Sequence, residues 1–411
     1  MRFQKDDIVI FADDLTGALD AAVQFSKQNI PTIAFPTAEA FLENGDWSYC
    51  VYVVNTTTRH VARQEAYETV RALAAAVRRD GCQWVIKKTD SALRGNVGVE
   101  LEALLDAFGS SALYFVPAYP QMRRTTENGV QYCDGVPIAE SVFGEDPFEP
   151  VQVSEVSQIV AQTSGIPVQS VRDWSQIRLT DRPTIYCIDA QNDEDMLQIC
   201  RLARECRVPV LLAGCAGLAL ALSSLMRQQP RPALPPQTGG EMFLISGSVN
   251  RITLQQIAYL KKRKYPVWYL DKQTQLDPAY PDSEAGAQFL SELCRQMHEH
   301  HVAVLSTSGT AEEVSSEGGQ KYGVDQAISA LTRQVMERER CCILTVFGGD
   351  TLFCVVRTVF SGGLIPLMEI MPGVPVSLAR FRDGRECLVV SRSGGFGDEA
   401  SAEAIVKYFE R

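Results

Sequence analysis

Short apolar runs alternate with longer amphipathic stretches along the first half of the chain. The apolar runs are rich in Val, Ile and Tyr, and they lie at residues 7–12, 49–54, 83–86, 113–116, 184–188 and 209–213. Such runs are typical of strands that are buried on both faces of a sheet. Between them, apolar residues recur at helical spacing at 18–28, 62–79, 97–108 and 194–206. Strands that alternate with helices of this length predict a doubly wound, mainly parallel α/β sheet.

Residues 117–150 interrupt this alternation. They show neither a helical nor a strand period, but their aromatic and apolar content argues against disorder. We therefore expect a lid or arm, with a short hairpin around Gly129 and Gly135. Arg123 and Arg124 in this arm either reach a substrate or are ordinary surface residues.

A second interruption, at residues 228–240 (QQPRPALPPQTGG), predicts a linker because it holds four prolines and two glycines. Strand-like runs resume beyond it, at 242–245, 267–270, 302–305, 341–347 and 386–390. The chain is therefore expected to form two doubly wound, mainly parallel-sheet α/β domains, residues 1–227 and 241–411, with a cleft between them.

Composition and charge narrow the choice of function. The 411 residues carry a formal net charge of −11 and 12 cysteines without CxxC pairs. An acidic chain is a poor nonspecific binder of nucleic acid or anionic lipid. No apolar run approaches the ~20 residues of a spanning helix, and no signal-type segment opens the chain, so we expect a cytosolic protein with reduced cysteines. The HEHH run at 298–301 is interpreted as a solvated helix end and not as a metal site.

Polar side chains cluster where the predicted strands of the first half end. Carboxyl ends of neighbouring parallel strands form the ligand crevice of an open sheet, although a single such turn is equally well explained by helix capping. Cationic side chains at such an edge could bind an anion, and carboxylates could bind hydroxyl groups or a metal ion. The candidate residues are Asp13, Asp14, Arg59, Lys88, Asp90, Ser91 and Arg94.

Glycine-rich turns follow the strands of the second half. They read SGS at 246–248, SGT at 308–310, GGDT at 348–351 and SGGFG at 393–397. Glycines let backbone N–H groups form a concave nest, and a following helix N-terminus favours negative charge. Neither GxxxxGK[ST] nor GxGxxG occurs, so the turns predict a phosphate or nucleotide site without a Walker or dinucleotide motif.

Taken together, the motifs resemble those of the four-carbon acid sugar kinase family over essentially the full chain. The matching segments are DDLTGA (13–18), KTDSALRGN (88–96), PAYPQMRRTTENG (117–129), GVPIAES (135–141), ISGSVNRITLQQI (245–257), FGGDT (347–351), PGVP (372–375) and SGGFG (393–397). The departures from the family pattern are Ala92, Arg123, Phe347 and Arg392, and none removes a charged group that the chemistry needs.

The resemblance implies an N-terminal acid-sugar domain, a C-terminal ATP domain and an active site between them. It implies phosphorylation of the 4-hydroxyl of D-threonate, our favoured substrate, or of D-erythronate or a 3-oxo-tetronate. The acid sugar would contact the seven candidate residues at the strand ends of the first half. Its carboxylate would bind to Arg59 or Arg94, and its hydroxyls to short acceptors such as Asp14 and Asp90. ATP would contact Ser246, Gly348, Gly349, Asp350, Thr351, Gly394 and Gly395. The oligomeric state, a homodimer among the options, is left open.

Phosphoryl transfer needs positioning, charge neutralisation and a carboxylate that orients the attacking hydroxyl. Asp90 and Asp14 both suit that role; Asp90 is favoured because Lys88 and Arg94 flank it, and Arg94 joins them as a catalytic candidate. Mg²⁺ is expected on the ATP phosphates, held partly by Asp350 or only through water. Two other classes stay open from the residues alone. One is a lyase or aldolase with a Schiff base on Lys87 or Lys88, and the other is a nucleotide-dependent sensor.

Overall fold

The computed structural model describes residues 3–44, 46–145, 149–226, 240–248, 250–307, 318–339, 343–392 and 397–410. The chain divides into two compact units, Met1–Arg231 and Pro232–Arg411. Each unit is an α/β fold built on a mainly parallel sheet, as the sequence predicts. Almost all of the expected linker lies outside the described residues.

The first unit contains eleven strands and seven α-helices in its described part. The strands are β1 (Ile8–Ala12), β2 (Thr32–Phe35), β3 (Val51–Asn55), β4 (Trp84–Lys88), β5 (Ala112–Val116), β6 (Arg124–Glu127), β7 (Val130–Cys133), β8 (Val136–Pro137), β9 (Val168–Val171), β10 (Thr184–Ile188) and β11 (Val210–Gly214). The helices are α1 (Leu15–Ser26), α2 (Ala38–Leu42), α3 (Arg63–Arg79), α4 (Val97–Phe108), α5 (Val156–Ala161), α6 (Asp193–Ala203) and α7 (Ala216–Ser223).

Eight of these strands form one parallel sheet in the order β2-β3-β1-β4-β11-β5-β10-β9. The chain leaves β1, runs out to β2, returns to β3 and then crosses to β4 on the other side of β1. The strand order therefore switches direction around β1, where Ala12 pairs with Asn55 on one side and Lys88 on the other. Ligands of open α/β sheets bind beyond the carboxyl ends of strands at such a switch point.

Strand β4 extends two residues beyond the predicted run, so Lys87 and Lys88 belong to a buried strand and not to the turn after it. Sequence patterning ends a strand at the first charged residue, whereas here both ammonium groups find acceptors inside the unit. The short strand β2 and helix α2 were not predicted, because a four-residue apolar run carries too little periodicity.

The arm after β5 forms a separate antiparallel sheet of β6, β7 and β8. Its two connections are the two-residue loops Asn128-Gly129 and Asp134-Gly135, in which all four residues have φ between 50° and 80°. Asn-Gly and Asp-Gly are the pairs that tolerate two successive positive φ values in tight hairpins. The predicted hairpin around these glycines is confirmed.

The second unit contains seven strands and five helices in its described part. The strands are β12 (Met242–Ser246), β13 (Val267–Tyr269), β14 (Val302–Ser306), β15 (Ile343–Phe347), β16 (Phe360–Glu369), β17 (Pro375–Phe381) and β18 (Glu386–Arg392). The helices are α8 (Arg251–Lys262), α9 (Glu284–His300), α10 (Gly318–Arg338), α11 (Gly349–Val359) and α12 (Ser401–Phe409).

The sheet of this unit runs β13-β14-β12-β15-β18-β17-β16. The first five strands are parallel, and β17 and β16 add an antiparallel end that was not predicted. Pairing places Ser246 between Ser306 and Phe347, and Phe347 beside Arg392. The carboxyl ends of four parallel strands, β14, β12, β15 and β18, therefore lie side by side at one edge of the sheet. Among the helices of the described residues, none is long and apolar enough to cross a membrane.

Candidate active site

Arg59 joins the ends of β1 and β3 in the first unit. Its Nε lies 2.7 Å from Asp13 Oδ2, its Nη2 lies 2.9 Å from Asp13 Oδ1, and its Nη1 lies 2.8 Å from Asp14 Oδ2. Burial acts to raise the pKa of Asp13, but the charge and hydrogen bonds of Arg59, together with the charges of Lys87 and Lys88, hold that pKa below its ordinary value. Arg59 is therefore already engaged by two carboxylates that precede it in the sequence by 46 and 45 residues.

Asp14 is the N-cap of α1 as well as a partner of Arg59. Its Oδ1 accepts from Gly17 N at 2.8 Å, and its Oδ2 accepts from Thr16 Oγ1 at 2.6 Å. Both carboxylate oxygens thus have partners within the protein. Asp14 nevertheless remains more exposed than Asp13, so it lies on the open side of the cluster.

The turn between β4 and α4 supplies a second ion pair. Arg94 Nε lies 2.6 Å from Asp90 Oδ2, and Arg94 Nη2 lies 3.3 Å from Asp90 Oδ1. Burial acts to raise the pKa of Asp90, but Arg94, Arg59 and Lys88 together hold it far below its ordinary value. Asp90 is consequently an ionised hydrogen-bond acceptor at neutral pH, with little tendency to take a proton.

Lys88 and Ser91 lie in the same part of the unit. Lys88 Nζ is buried and donates to Thr89 O at 2.8 Å, and Ser91 lies half-buried in the turn after β4. The structure therefore brings the seven predicted residues of the first unit to the ends of the three adjacent strands β1, β3 and β4.

The arm residues Arg123 and Arg124, for which the sequence left two interpretations, differ sharply. The Arg123 side chain is 74% exposed and pairs with Asp134 at 3.2 Å. The Arg124 side chain is 14% exposed, and its guanidinium carbon lies 5.2 Å from the centroid of the Phe143 ring. Arg94 stacks on the same ring at 5.5 Å. Arg124 and Phe143 therefore belong to the surroundings of the cluster, and Arg123 belongs to the surface.

In the second unit, the turns that follow β12 and β15 contact each other. Gly247 N donates to Phe347 O at 3.1 Å, and Gly348 has a φ of +112°. A Cβ added at Gly247 would lie 2.0 Å from Thr351 Oγ1, so any other residue at this position would have to displace the Thr351 side chain. Among the described residues, the buried Ser246 Oγ has no hydrogen-bond partner.

Helix α11 begins immediately after these turns. Asp350 stands exposed in its first turn, and Thr351 Oγ1 donates to Asp325 Oδ1 at 3.0 Å. Arg392 at the end of β18 is buried over the Phe347 ring at 4.6 Å, and burial lowers its pKa to about 10. The N-terminus of α11 beside glycine turns and a cation suits a phosphate group. Gly394 and Gly395 lie outside the described residues.

The HEHH segment is a helix end, as interpreted from the sequence, since α9 ends at His300 and His298 is about half exposed. His298 Nδ1 contacts Glu241, and its Nε2 lies 3.0 Å from Glu339 Oε2. The three groups are close enough to hold a metal ion. However, the hydrogen bond with Glu241 raises the pKa of His298, which favours an imidazolium that repels cations.

Some residues of the site were missed by sequence reasoning. Asp325 and Phe143 lie 26 and 49 residues from Thr351 and Arg94, which they contact, and Glu100 lies 13 residues after its partner Lys87. Of these three residues, only Glu100 carries a signal in the sequence, because it is a carboxylate on the apolar face of α4.

Two family models match this chain. One, described as a sugar-binding N-terminal domain, matches residues 8–222, and the other, described as a nucleotide-binding C-terminal domain, matches residues 243–402. The chain is 28% identical over 432 residues to a D-threonate kinase of Salmonella typhimurium, covering 98% of both chains. It is 25% identical over 433 residues to a D-erythronate kinase of Heliobacterium modesticaldum, covering 98% of this chain and 97% of that one.

The fold also matches a solved structure. The crystal structure of a Salmonella typhimurium LT2 protein, provisionally named a tRNA synthase, aligns with a TM-score of 0.79 and 21% identity, covering 98% of this chain and 99% of that chain. At this identity the likeness concerns the fold alone.

Proposed function

Because this chain belongs to the four-carbon acid sugar kinase family and is a sugar-acid kinase, we propose that it phosphorylates the 4-hydroxyl of D-threonate with ATP. The products are 4-phospho-D-threonate and ADP. The observation that carries this proposal is the cluster of carboxylates and cations at the ends of β1, β3 and β4.

Arg94 binds the carboxylate of the acid sugar in this proposal. Its side chain is 23% exposed, whereas that of Arg59 is 12% exposed and directs its Nε and both terminal nitrogens at Asp13 and Asp14. The more exposed guanidinium is the more accessible to a substrate carboxylate, even while it pairs with Asp90. Arg59 instead organises the two aspartates. Both arginines were candidates for the clamp on sequence grounds, and the difference in exposure favours Arg94.

Asp90 orients the attacking 4-hydroxyl. Because its low pKa keeps it ionised, it accepts a hydrogen bond from the hydroxyl without first removing the proton. This role suits a loose phosphoryl-transfer transition state, in which positioning matters more than early deprotonation. Asp14 lies near Asp90 through their shared neighbour Arg59 and binds another hydroxyl of the substrate. Lys88 and Ser91 complete the acid-sugar contacts.

ATP binds at the turns of the second unit. The absence of room for a side chain at Gly247 and the orphaned Ser246 Oγ fit a phosphate that approaches the backbone closely. Gly348, Gly349 and Thr351 bring the N-terminus of α11 to the same place. Asp350 is the carboxylate there that would hold Mg²⁺, directly or through water, and the ion would neutralise phosphate charge. The glycines at 394 and 395 remain proposed contacts on sequence grounds.

D-erythronate and 3-oxo-tetronates are the alternative substrates, because a change at one carbon requires only a rearranged pocket contact. A lysine-dependent lyase fits less well. The Lys87 ammonium is fully buried against Glu100, and Lys88 is also buried, so neither presents a free amine to a carbonyl compound. A nucleotide-dependent sensor would bind both ligands and release no ADP.

A coupled ADP-release assay over D-threonate, D-erythronate, 3-oxo-tetronates and five-carbon sugar acids tests the proposal. We expect the highest kcat/KM with D-threonate and no ADP release without an acid. A higher kcat/KM with another tetronate would correct the substrate. Absence of ADP release with every acid would refute the proposed function.

A further inference from the structure

A buried ion pair lies next to the cluster of carboxylates and cations at the ends of β1, β3 and β4. Lys87 Nζ in β4 lies 3.1 Å from Glu100 Oε2 in α4, and the two side chains are 0% and 2% exposed. Lys87 Nζ also donates to Lys88 O at 3.0 Å. Since solvent does not reach either group, neither can touch a substrate.

The pair continues into a chain of buried hydroxyl groups. Glu100 Oε1 accepts a hydrogen bond from Thr58 Oγ1, which lies 2.6 Å from Thr56 Oγ1. Thr56 Oγ1 also lies 2.8 Å from Ala12 O, so its single proton is shared between Thr58 Oγ1 and this carbonyl. Helix α4 is thus connected through side chains to the carboxyl ends of β4, β3 and β1.

Each end of this network adjoins a residue of the site. Ala12 precedes Asp13, Thr58 precedes Arg59, and Lys87 lies three residues before Asp90. A shift of any of these strand ends would therefore move a carboxylate or guanidinium of the cluster. Displacements of about 1 Å in positioning groups cost roughly 100-fold in rate.

Stability alone does not account for such a pair. Removing two charges from water costs several kcal/mol each, and apolar residues of similar volume are often equally or more stable in their place. We propose that Lys87 and Glu100 are positioning residues, which hold the ends of β1, β3 and β4 in the arrangement that acid-sugar phosphorylation needs. This inference rests on the proposed function.

The test replaces the pair by apolar residues of similar size, in the double variant Lys87→Met/Glu100→Leu. The matched control replaces an exposed pair of α6, Arg201 and Glu194 (2.9 Å), by Met and Gln. For both variants, kcat and the KM values for D-threonate and ATP are measured with the melting temperature. If this double variant does not fold, Lys87→Met/Glu100→Gln, which keeps the side-chain volume at position 100 and leaves no buried charge, provides the same comparison.

We expect the double variant to melt no lower than the unmodified chain, yet to lose about 10- to 100-fold in kcat/KM for the acid. Its KM for ATP and all values of the control should be unchanged. A variant that folds and keeps the kcat/KM of the unmodified chain overturns the positioning role. If the unmodified chain itself phosphorylates no sugar acid, the proposed function fails, and the inference falls with it.

Discussion

Replacing Arg59 by Ala should destabilise the first unit strongly, and the loss should depend on pH. The change removes the guanidinium hydrogen bonds to Asp13 and Asp14 and leaves the buried Asp13 carboxylate without its cation. Breaking a buried pair by removing one partner costs about 3–5 kcal/mol. We expect a loss of that size in the free energy of unfolding at pH 7.

The sign of the pH dependence follows from the pKa of Asp13. With Arg59 present, that pKa lies below the unfolded value of about 3.9, so Asp13 contributes stability above pH 4 that disappears as the pH falls through the folded pKa. Without Arg59, burial instead raises the pKa, and a protonated Asp13 is tolerated at low pH. The difference between the two proteins should therefore shrink from pH 7 toward pH 4.

Urea unfolding at several pH values, followed by tryptophan fluorescence, measures this difference. Arg63→Ala, at an exposed position at the start of α3, is the matched control and should change little. The double variant Arg59→Ala/Asp13→Asn should recover part of the loss, because it no longer buries an unpaired charge. A loss below about 1 kcal/mol, the size expected of an exposed pair, or a loss that is constant with pH, would refute the reasoning.

Three further substitutions test the site itself. Arg94→Ala should raise the KM for the acid sugar about 10- to 150-fold, the equivalent of a charge-assisted hydrogen bond of roughly 1.5–3 kcal/mol, with the exposed Arg123→Ala as an unaffected control; an equal rise in the KM for ATP would contradict the assignment. Asp90→Asn should lower kcat about 10²- to 10⁴-fold and leave the affinity for ATP unchanged. Loss of ATP binding would contradict the assignment of Asp90 to the acid-sugar site. Gly247→Ala should weaken ATP binding, since the added Cβ would lie 2.0 Å from Thr351 Oγ1. An unchanged affinity for ATP would contradict the proposal that this turn binds ATP.

Local pattern was sufficient to predict which polar residues the strands bring together, because strand ends are visible in a sequence. Asp13, Arg59 and Asp90 each follow an apolar run, and parallel strands bring such ends to one edge. The Asn128-Gly129 hairpin was also visible, because its turn chemistry is local. These features need no knowledge of distant contacts.

The sequence did not predict which charged side chains pair with each other. It offered Arg59 and Arg94 alike as cations for the substrate carboxylate, whereas the folded chain commits Arg59 to Asp13 and Asp14. It ended β4 before Lys87, because the acceptor that permits burial of this ammonium lies on α4. Both differences depend on contacts between separate elements of the fold, which periodicity does not report.

The position of the phosphate in the product tests the central claim most directly. After incubation of D-threonate with ATP and the protein, phosphorus–proton correlation NMR identifies the carbon that carries the phosphate. The account predicts coupling of phosphorus to the methylene protons at C4. Coupling to a single methine proton, or no phosphorylated product from any four-carbon sugar acid, would contradict it.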